Sequence, residues 1–154
     1  MAKILVIGAG GQLGTELTKA LAETYGNEAV IATDFHESVK NKFGYCTFHT
    51  LNVMDKAALA DIVEKEGVTQ VYHLAAILSA LGEKNPVPAW DLNMGGLLNV
   101  LEVARAFAID KVFWPSSIAV FGPNSPKNQT PQQAFKDPNT VYGISKLAGE
   151  HWCE

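Results

Sequence analysis

Tyr142 and Lys146 stand four residues apart, with Ser116 and Ser117 upstream of them, and the chain opens with Gly8-Ala9-Gly10-Gly11-Gln12-Leu13-Gly14. Oxidising an alcohol means removing its hydroxyl proton while hydride leaves the carbon. A free tyrosine, with a pKa of about 10, is a poor base for that near neutral pH. A nearby lysine ammonium favours the phenolate and lowers the value. Spacing of four on a helix puts Tyr142 and Lys146 on one face. A serine hydroxyl at the end of the fifth strand can hold the substrate oxygen. Adjacent strand residues point to opposite sides, so either Ser116 or Ser117 can be the one that faces it. The glycine turn suits a dinucleotide pyrophosphate. Together, in this order, the motifs point to a nicotinamide-dependent enzyme acting on an alcohol carbon.

Residues 3–7 form a short apolar run rich in β-branched side chains, as expected of a strand buried on both faces. Residues 12–25 then read as a helix, with Leu13, Leu17, Ala20 and Leu21 on one face. Strand, turn and helix place backbone N–H groups at a positive helix N-terminus, where a phosphate binds. Gly8 permits the tight turn, Gly11 lets backbone approach the phosphates, and Gly14 lets the helix pack close to the strand. Gly10 also fits the middle position of the commoner G-x-G-x-x-G spacing.

Asp34 ends the second predicted strand, residues 29–33. An acidic residue about twenty positions beyond the glycines can accept hydrogen bonds from the adenosine ribose. A carboxylate there repels a 2′-phosphate. No arginine lies near it, although Lys40 and Lys42 follow. The expected cofactor is therefore NAD rather than NADP. Asn52-Val53 follow the third strand, and Asn52 reads equally as an adenine contact or as a loop asparagine with structural bonds. His73-Leu74-Ala75-Ala76 follow the fourth, where small residues let the chain pass close to a cofactor. His73 itself reads as a packed strand-end residue rather than a base.

The chain has 154 residues, enough for one domain with a real core, 1–154. Its 12 basic and 16 acidic residues give a net charge of −4 with no basic run, which argues against nucleic acid as a partner. No apolar stretch is long enough for a membrane span, and the first apolar run is too short for a signal peptide. Cys46 and Cys153 are far apart and read as reduced thiols of a cytoplasmic protein. The four histidines form no ligand cluster, so no metal is expected.

The remaining pattern alternates. A weak strand at 45–49 precedes a helix at 55–66 capped by Asp55, with Leu59, Ile62 and Val63 inward. A strand lies within 68–74. A long helix spans 88–107 and buries Leu97, Leu98, Leu101 and Val103, and a strand begins at 111–114. Residues 122–140 hold four prolines and read as a loop over a binding site. Tyr142 onward is helical. This alternation predicts an α/β fold, a doubly wound parallel sheet of Rossmann type with helices on both faces. Its ligand belongs at the C-terminal strand ends, near the switch point.

The chain resembles the extended short-chain dehydrogenases/reductases, the group related to nucleotide-sugar epimerases. The matching pieces are G-x-x-G-x-x-G, Asp34, H-L-A-A, the segment 93–100, the serines before Val120-Phe121-Gly122, and Tyr142-x-x-x-Lys146. More narrowly, the strings at 76–80, 89–94, 114–123 and 138–146 resemble the short-chain type of L-threonine 3-dehydrogenase. The run W-P-S-S-I-A-V-F-G-P is the most specific of them. The resemblance implies Tyr142 as general base and Lys146 as its partner and a contact to the nicotinamide ribose. Ser117 takes the catalytic-serine position, and Ser79 lies in a loop that touches substrate. The implied NAD site draws on Gly8, Gly11, Gln12, Leu13, Gly14, Asp34, Asn52, Val53, Leu74, Ala75, Ala76, Asn93, Ser116, Tyr142 and Lys146. Asn93 falls where the wider family often supports a proton relay.

The implied reaction is L-threonine plus NAD giving 2-amino-3-oxobutanoate and NADH. The wider family often dimerises through the long helix and the Tyr/Lys helix, so a homodimer is expected. One departure is that the family continues beyond its Tyr/Lys helix into a smaller substrate-binding region. The expectation is that these residues form the N-terminal part of a longer enzyme, or act with a second segment. Two other readings stand beside this one. One is a nucleotide-sugar epimerase or dehydratase. The other is a non-catalytic dinucleotide sensor, which predicts loss of the serine, tyrosine or lysine, whereas all three are present.

Overall fold

The structure, a computed structural model, describes residues 2–154. In chain order the elements are β1 (Ile4–Ile7), α1 (Gln12–Tyr25), β2 (Val30–Asp34), β3 (Thr47–Thr50), α2 (Lys56–Glu66), β4 (Gln70–His73), α3 (Ser79–Gly82), α4 (Pro86–Trp90), α5 (Gly96–Ala106), β5 (Lys111–Phe113) and α6 (Val141–Cys153). Tight 3₁₀ turns occupy Glu37–Phe43 and Ile118–Val120, and a π-helical turn occupies Asp91–Gly95. The chain forms two compact units. One runs to Ala75 and includes Gly96–Pro115; the other comprises Ala76–Gly95 and Ser116–Glu154.

The first unit is a five-stranded parallel sheet in the order β3-β2-β1-β4-β5. Every residue of β1 is buried, as a central strand covered on both faces requires. The order reverses beside β1, so right-handed crossovers place α1 on one face and α2 and α5 on the other. Ile4, Val6, Val30, Ala32, Leu21, Ala22 and Phe43 pack as one cluster on the α1 face. Leu5 and Ile7 alternate to the other face, which α2 and α5 cover with Leu59, Ile62, Val63, Leu97, Val100 and Val103. Asp55 caps α2, its side chain accepting the Ala58 N–H at 3.0 Å. The sheet is the doubly wound Rossmann type expected from the alternation.

Three expectations change. Helix α1 turns Gly14, Thr18, Leu21 and Ala22 inward, while Leu13 is 71% exposed and Ala20 is exposed. The cause is the close seat of Gly14, where a Cβ would lie 2.7 Å from Ala9 Cα and nearer still to Gly8 O. That seat fixes the rotation of the helix. The helix expected at 88–107 is α4, the π turn and α5 in succession, and its Leu98 and Leu101 are only half-buried. Finally, β5 ends at Phe113, so Ser116 and Ser117 are not strand residues.

Candidate functional site

The first unit carries the candidate coenzyme loop. Gly8 has φ +82°, and its Cα sits against the Ala75 backbone, where a Cβ would come within 2.7 Å of Ala75 N. The N–H groups of Gly8 and Ala9 both donate to Thr33 O at 2.9 Å, which ties the turn to the end of β2. Leu74 N donates to Ile7 O at 2.8 Å, tying the chain after β4 to the same place. Gly11 is the N-cap of α1 and no side chain caps that helix. The first-turn amides of Gln12, Leu13 and Gly14 are the donors a helix cannot satisfy internally. A Cβ on Gly11 would meet only Gly8 O at 3.6 Å, ordinary contact, so the protein's own packing does not require glycine there. An uncapped helix N-terminus behind a residue with no side chain is the donor set a pyrophosphate needs.

Asp34 closes β2 and accepts two backbone bonds, from Gly10 N–H at 2.9 Å and from His36 N–H at 3.0 Å. The carboxylate is thereby oriented at the strand end beside the glycine turn. Lys42 Nζ donates to Gly10 O at 3.0 Å. Asn52 is exposed and its side-chain oxygen accepts the Met54 N–H at 3.0 Å, the structural bond of a turn asparagine. Val53 is buried against Gly96. These residues fit NAD: open amides for the diphosphate and an oriented carboxylate for the ribose.

The second unit carries the proton-handling candidates. Thr140 caps α6, its hydroxyl oxygen accepting the Gly143 N–H at 3.0 Å, and so fixes the turn that holds Tyr142. Lys146 is one turn further and only 3% exposed, with Nζ 5.7 Å from the centroid of the Tyr142 ring. Burial drives the lysine from 10.5 down to about 8, against a smaller upward pull from Cys153. Ser117 precedes the Ile118–Val120 turn and its hydroxyl oxygen accepts the Ala119 N–H at 3.2 Å. Ser116 donates to Glu150 Oε1. The two serines thus differ in their partners, because β5 ends at Phe113 and Ser117 caps the turn that follows. Both serines, with Val120, Phe121, Gln132, Lys136 and Glu150, line a cleft of about 190 Å³.

Asn93 is 4% exposed in the π turn, and its amide is bonded both ways to Ile77: Ile77 N–H donates to Oδ1 at 2.8 Å and Nδ2 donates to Ile77 O at 3.0 Å. Such turns interrupt helices at functional places. Here the turn holds the segment leading to Ser79, the exposed first residue of α3. Ala76 is half-buried at the start of that segment. Residues 122–140 are fastened internally: Asn124 Nδ2 donates to Asp137 Oδ2 at 2.7 Å and Ser125 Oγ to Phe135 O at 2.6 Å. Sequence reasoning passed over Glu150 and Lys136, which form an ion pair in the cleft. Glu150 was findable, since it continues the spacing of Tyr142 and Lys146 by four. Among the described residues no His, Cys, Asp and Glu side chains gather as a metal site, and no helix is long and apolar enough to cross a membrane.

Sheet order and glycine turn define a dinucleotide-binding α/β protein. The chain belongs to the NAD dependent epimerase/dehydratase family, whose profile matches residues 4–154. An uncharacterised epimerase/dehydratase of Staphylococcus saprophyticus is 47% identical over the whole chain, which covers 48% of that protein. Among solved structures, the GalE-like L-threonine dehydrogenase of Cupriavidus necator in its holo form is 56% identical with TM-score 0.94, over 98% of this chain and 48% of that one. The UDP-glucose 4-epimerase of Brucella ovis in complex with NAD is 25% identical with TM-score 0.88, over 99% and 46%. The chain thus spans about half the length of the relatives it matches.

Proposed function

We propose that this chain supplies the coenzyme-binding and proton-handling parts of an NAD-dependent L-threonine 3-dehydrogenase. The observation that carries the reading is the buried Lys146 ammonium beside the Tyr142 ring on α6. The choice of threonine over a nucleotide sugar is supported by 56% identity to the Cupriavidus necator threonine dehydrogenase, against 25% to the Brucella ovis epimerase.

In this reading the open amides at the start of α1 hold the diphosphate of NAD and Asp34 accepts from its ribose hydroxyls. Bound NAD supplies the acceptor for the hydride that leaves the alcohol carbon. The Ser117 hydroxyl holds the substrate oxygen in place. The Tyr142 phenolate oxygen takes the hydroxyl proton, and the Lys146 charge stabilises the phenolate before the proton arrives. Asn93 acts by holding the Ile77 backbone and hence the approach to Ser79.

A second reading, nucleotide-sugar epimerisation, is favoured by the family match and by a UDP-glucose 4-epimerase of Thermotoga maritima with UDP-glucose, 27% identical at TM-score 0.89. Absorbance in the NADH band separates the two. Accumulation with L-threonine and none with UDP-sugars supports the dehydrogenase. UDP-sugar interconversion without any response to threonine overturns it.

A further inference from the structure

We propose that Glu150 is a positioning residue that sets the place of the Ser117 hydroxyl by anchoring the segment before it to α6. The proposal rests on the dehydrogenase reading for its catalytic meaning but on geometry for its substance. Tyr142, Lys146 and Glu150 follow one another at intervals of four, so they share one face of α6. Glu150 Oε1 accepts from Ser116 Oγ, and Oε2 pairs with Lys136 Nζ. The carboxylate is 20% exposed. Burial alone would raise it, but the Lys136 ammonium and the Ser116 hydroxyl outweigh that and hold it below the usual carboxylate value.

The same segment touches α6 at a second point. A Cβ on Gly143 would lie 2.9 Å from Pro138 Cβ and nearer still to Ala119 O, so the carbonyl of the 3₁₀ turn lies directly on the first turn of the helix. Gly143 and Glu150 are separated by about 10 Å along the helix axis. Ser116 and Ala119 are three residues apart, joined through Ser117 and the start of the 3₁₀ turn. The segment is therefore pinned at both ends, with Ser117 between the pins. Its Oγ is further held by the Ala119 N–H at 3.2 Å. Lys136 brings the 122–140 loop to the same carboxylate. Lys136 and Glu150 compensate each other, so the cleft they line offers a ligand no uncompensated charge. The cluster is a fastener rather than a binding site.

The test is amide hydrogen exchange on this chain, with no ligand added, followed by kinetics of the active enzyme. Glu150→Ala and Ser116→Ala are expected to speed exchange at Ala119 and Val120 by about tenfold, the worth of one hydrogen bond. The Ile144 amide, bonded to Thr140 O within α6, is expected to stay unchanged. Glu150→Gln keeps an acceptor for Ser116 and is expected to restore most of the protection. In turnover, Glu150→Ala is expected to lower kcat about tenfold with KM within twofold, and Glu150→Gln to recover most of it. Unchanged exchange at Ala119 in Ser116→Ala overturns the proposal, as does loosening spread equally over all of α6. Absence of threonine turnover in the unsubstituted enzyme would reject the dehydrogenase reading and leave the exchange result to judge Glu150 by itself.

Discussion

Lys146 Nζ lies 5.7 Å from the centre of the Tyr142 ring, and the lysine is almost wholly buried while the tyrosine is only partly buried. The cation is withdrawn from water and the phenol is left within reach of it. The proposed proton acceptor is thus the more accessible of the two side chains. Tyr142→Phe keeps the ring and removes only the oxygen. The expected outcome is a loss of at least about 100-fold in threonine-dependent NADH formation, the usual worth of a general base. NAD binding, followed by calorimetry, is expected to change little. A rate retained in the phenylalanine variant would show that the base lies elsewhere.

The buried lysine also makes a prediction about pH. Its folded value of about 8 lies below the ordinary 10.5. Between the two, the unfolded chain binds the proton that the folded chain has released, so stability rises with pH across that window. The cost of burying the charge is present in full below pH 8 and is relieved as pH climbs toward 10.5. Lys146→Met removes this cost. Urea unfolding of both proteins from pH 7 to 10.5 is expected to show the unsubstituted chain gaining relative to the variant. A constant difference would contradict the assigned burial of the charge.

Asp34 accepts from Gly10 and His36 with both carboxylate oxygens. In Asp34→Asn only one oxygen remains, and the negative charge is gone. NAD affinity is expected to fall about tenfold, the loss of one charge-assisted bond. The disadvantage of NADP is expected to shrink at the same time, since nothing then repels its 2′-phosphate. Parallel titrations with the two coenzymes measure both effects.

Gly143 and Gly44 form a matched pair for stability. A Cβ on Gly143 would collide with Ala119 O, whereas one on Gly44, at φ −61°, would meet nothing within 4 Å. Gly143→Ala is expected to destabilise by about 1–3 kcal/mol through overpacking. Gly44→Ala is expected to stabilise by about 0.4–1 kcal/mol, because the unfolded chain loses freedom. Urea midpoints of the two variants give the comparison.

Much of the fold was legible because its signals are local. The β1 run, the bounds of α1 and the Asp55 cap of α2 each depend on residues within a turn or two of one another. The 3₁₀ turn Glu37–Phe43 was missed because polar residues carry it with no apolar period to announce it. The inward face of α1 was misjudged at Leu13 because the close seat of Gly14 on Gly8 and Ala9, not hydrophobicity, sets the rotation of that helix.

The order of residue types along the chain was enough to specify a doubly wound sheet, a glycine turn at the start of α1, an acid at the end of β2 and a Tyr/Lys face on the last helix. Periodicity, capping and turn chemistry act over a few residues, and any reader of the chain meets them in sequence. Contacts between distant positions decided the rest. They tied Ser116 to Glu150, while Ser117 caps the turn after β5. They broke the long helix at Asn93, through its two bonds to Ile77. They buried Lys146 and so brought its titration close to neutrality. Those outcomes depend on which side chains meet after the chain has folded back on itself, and spacing along the sequence does not carry that information.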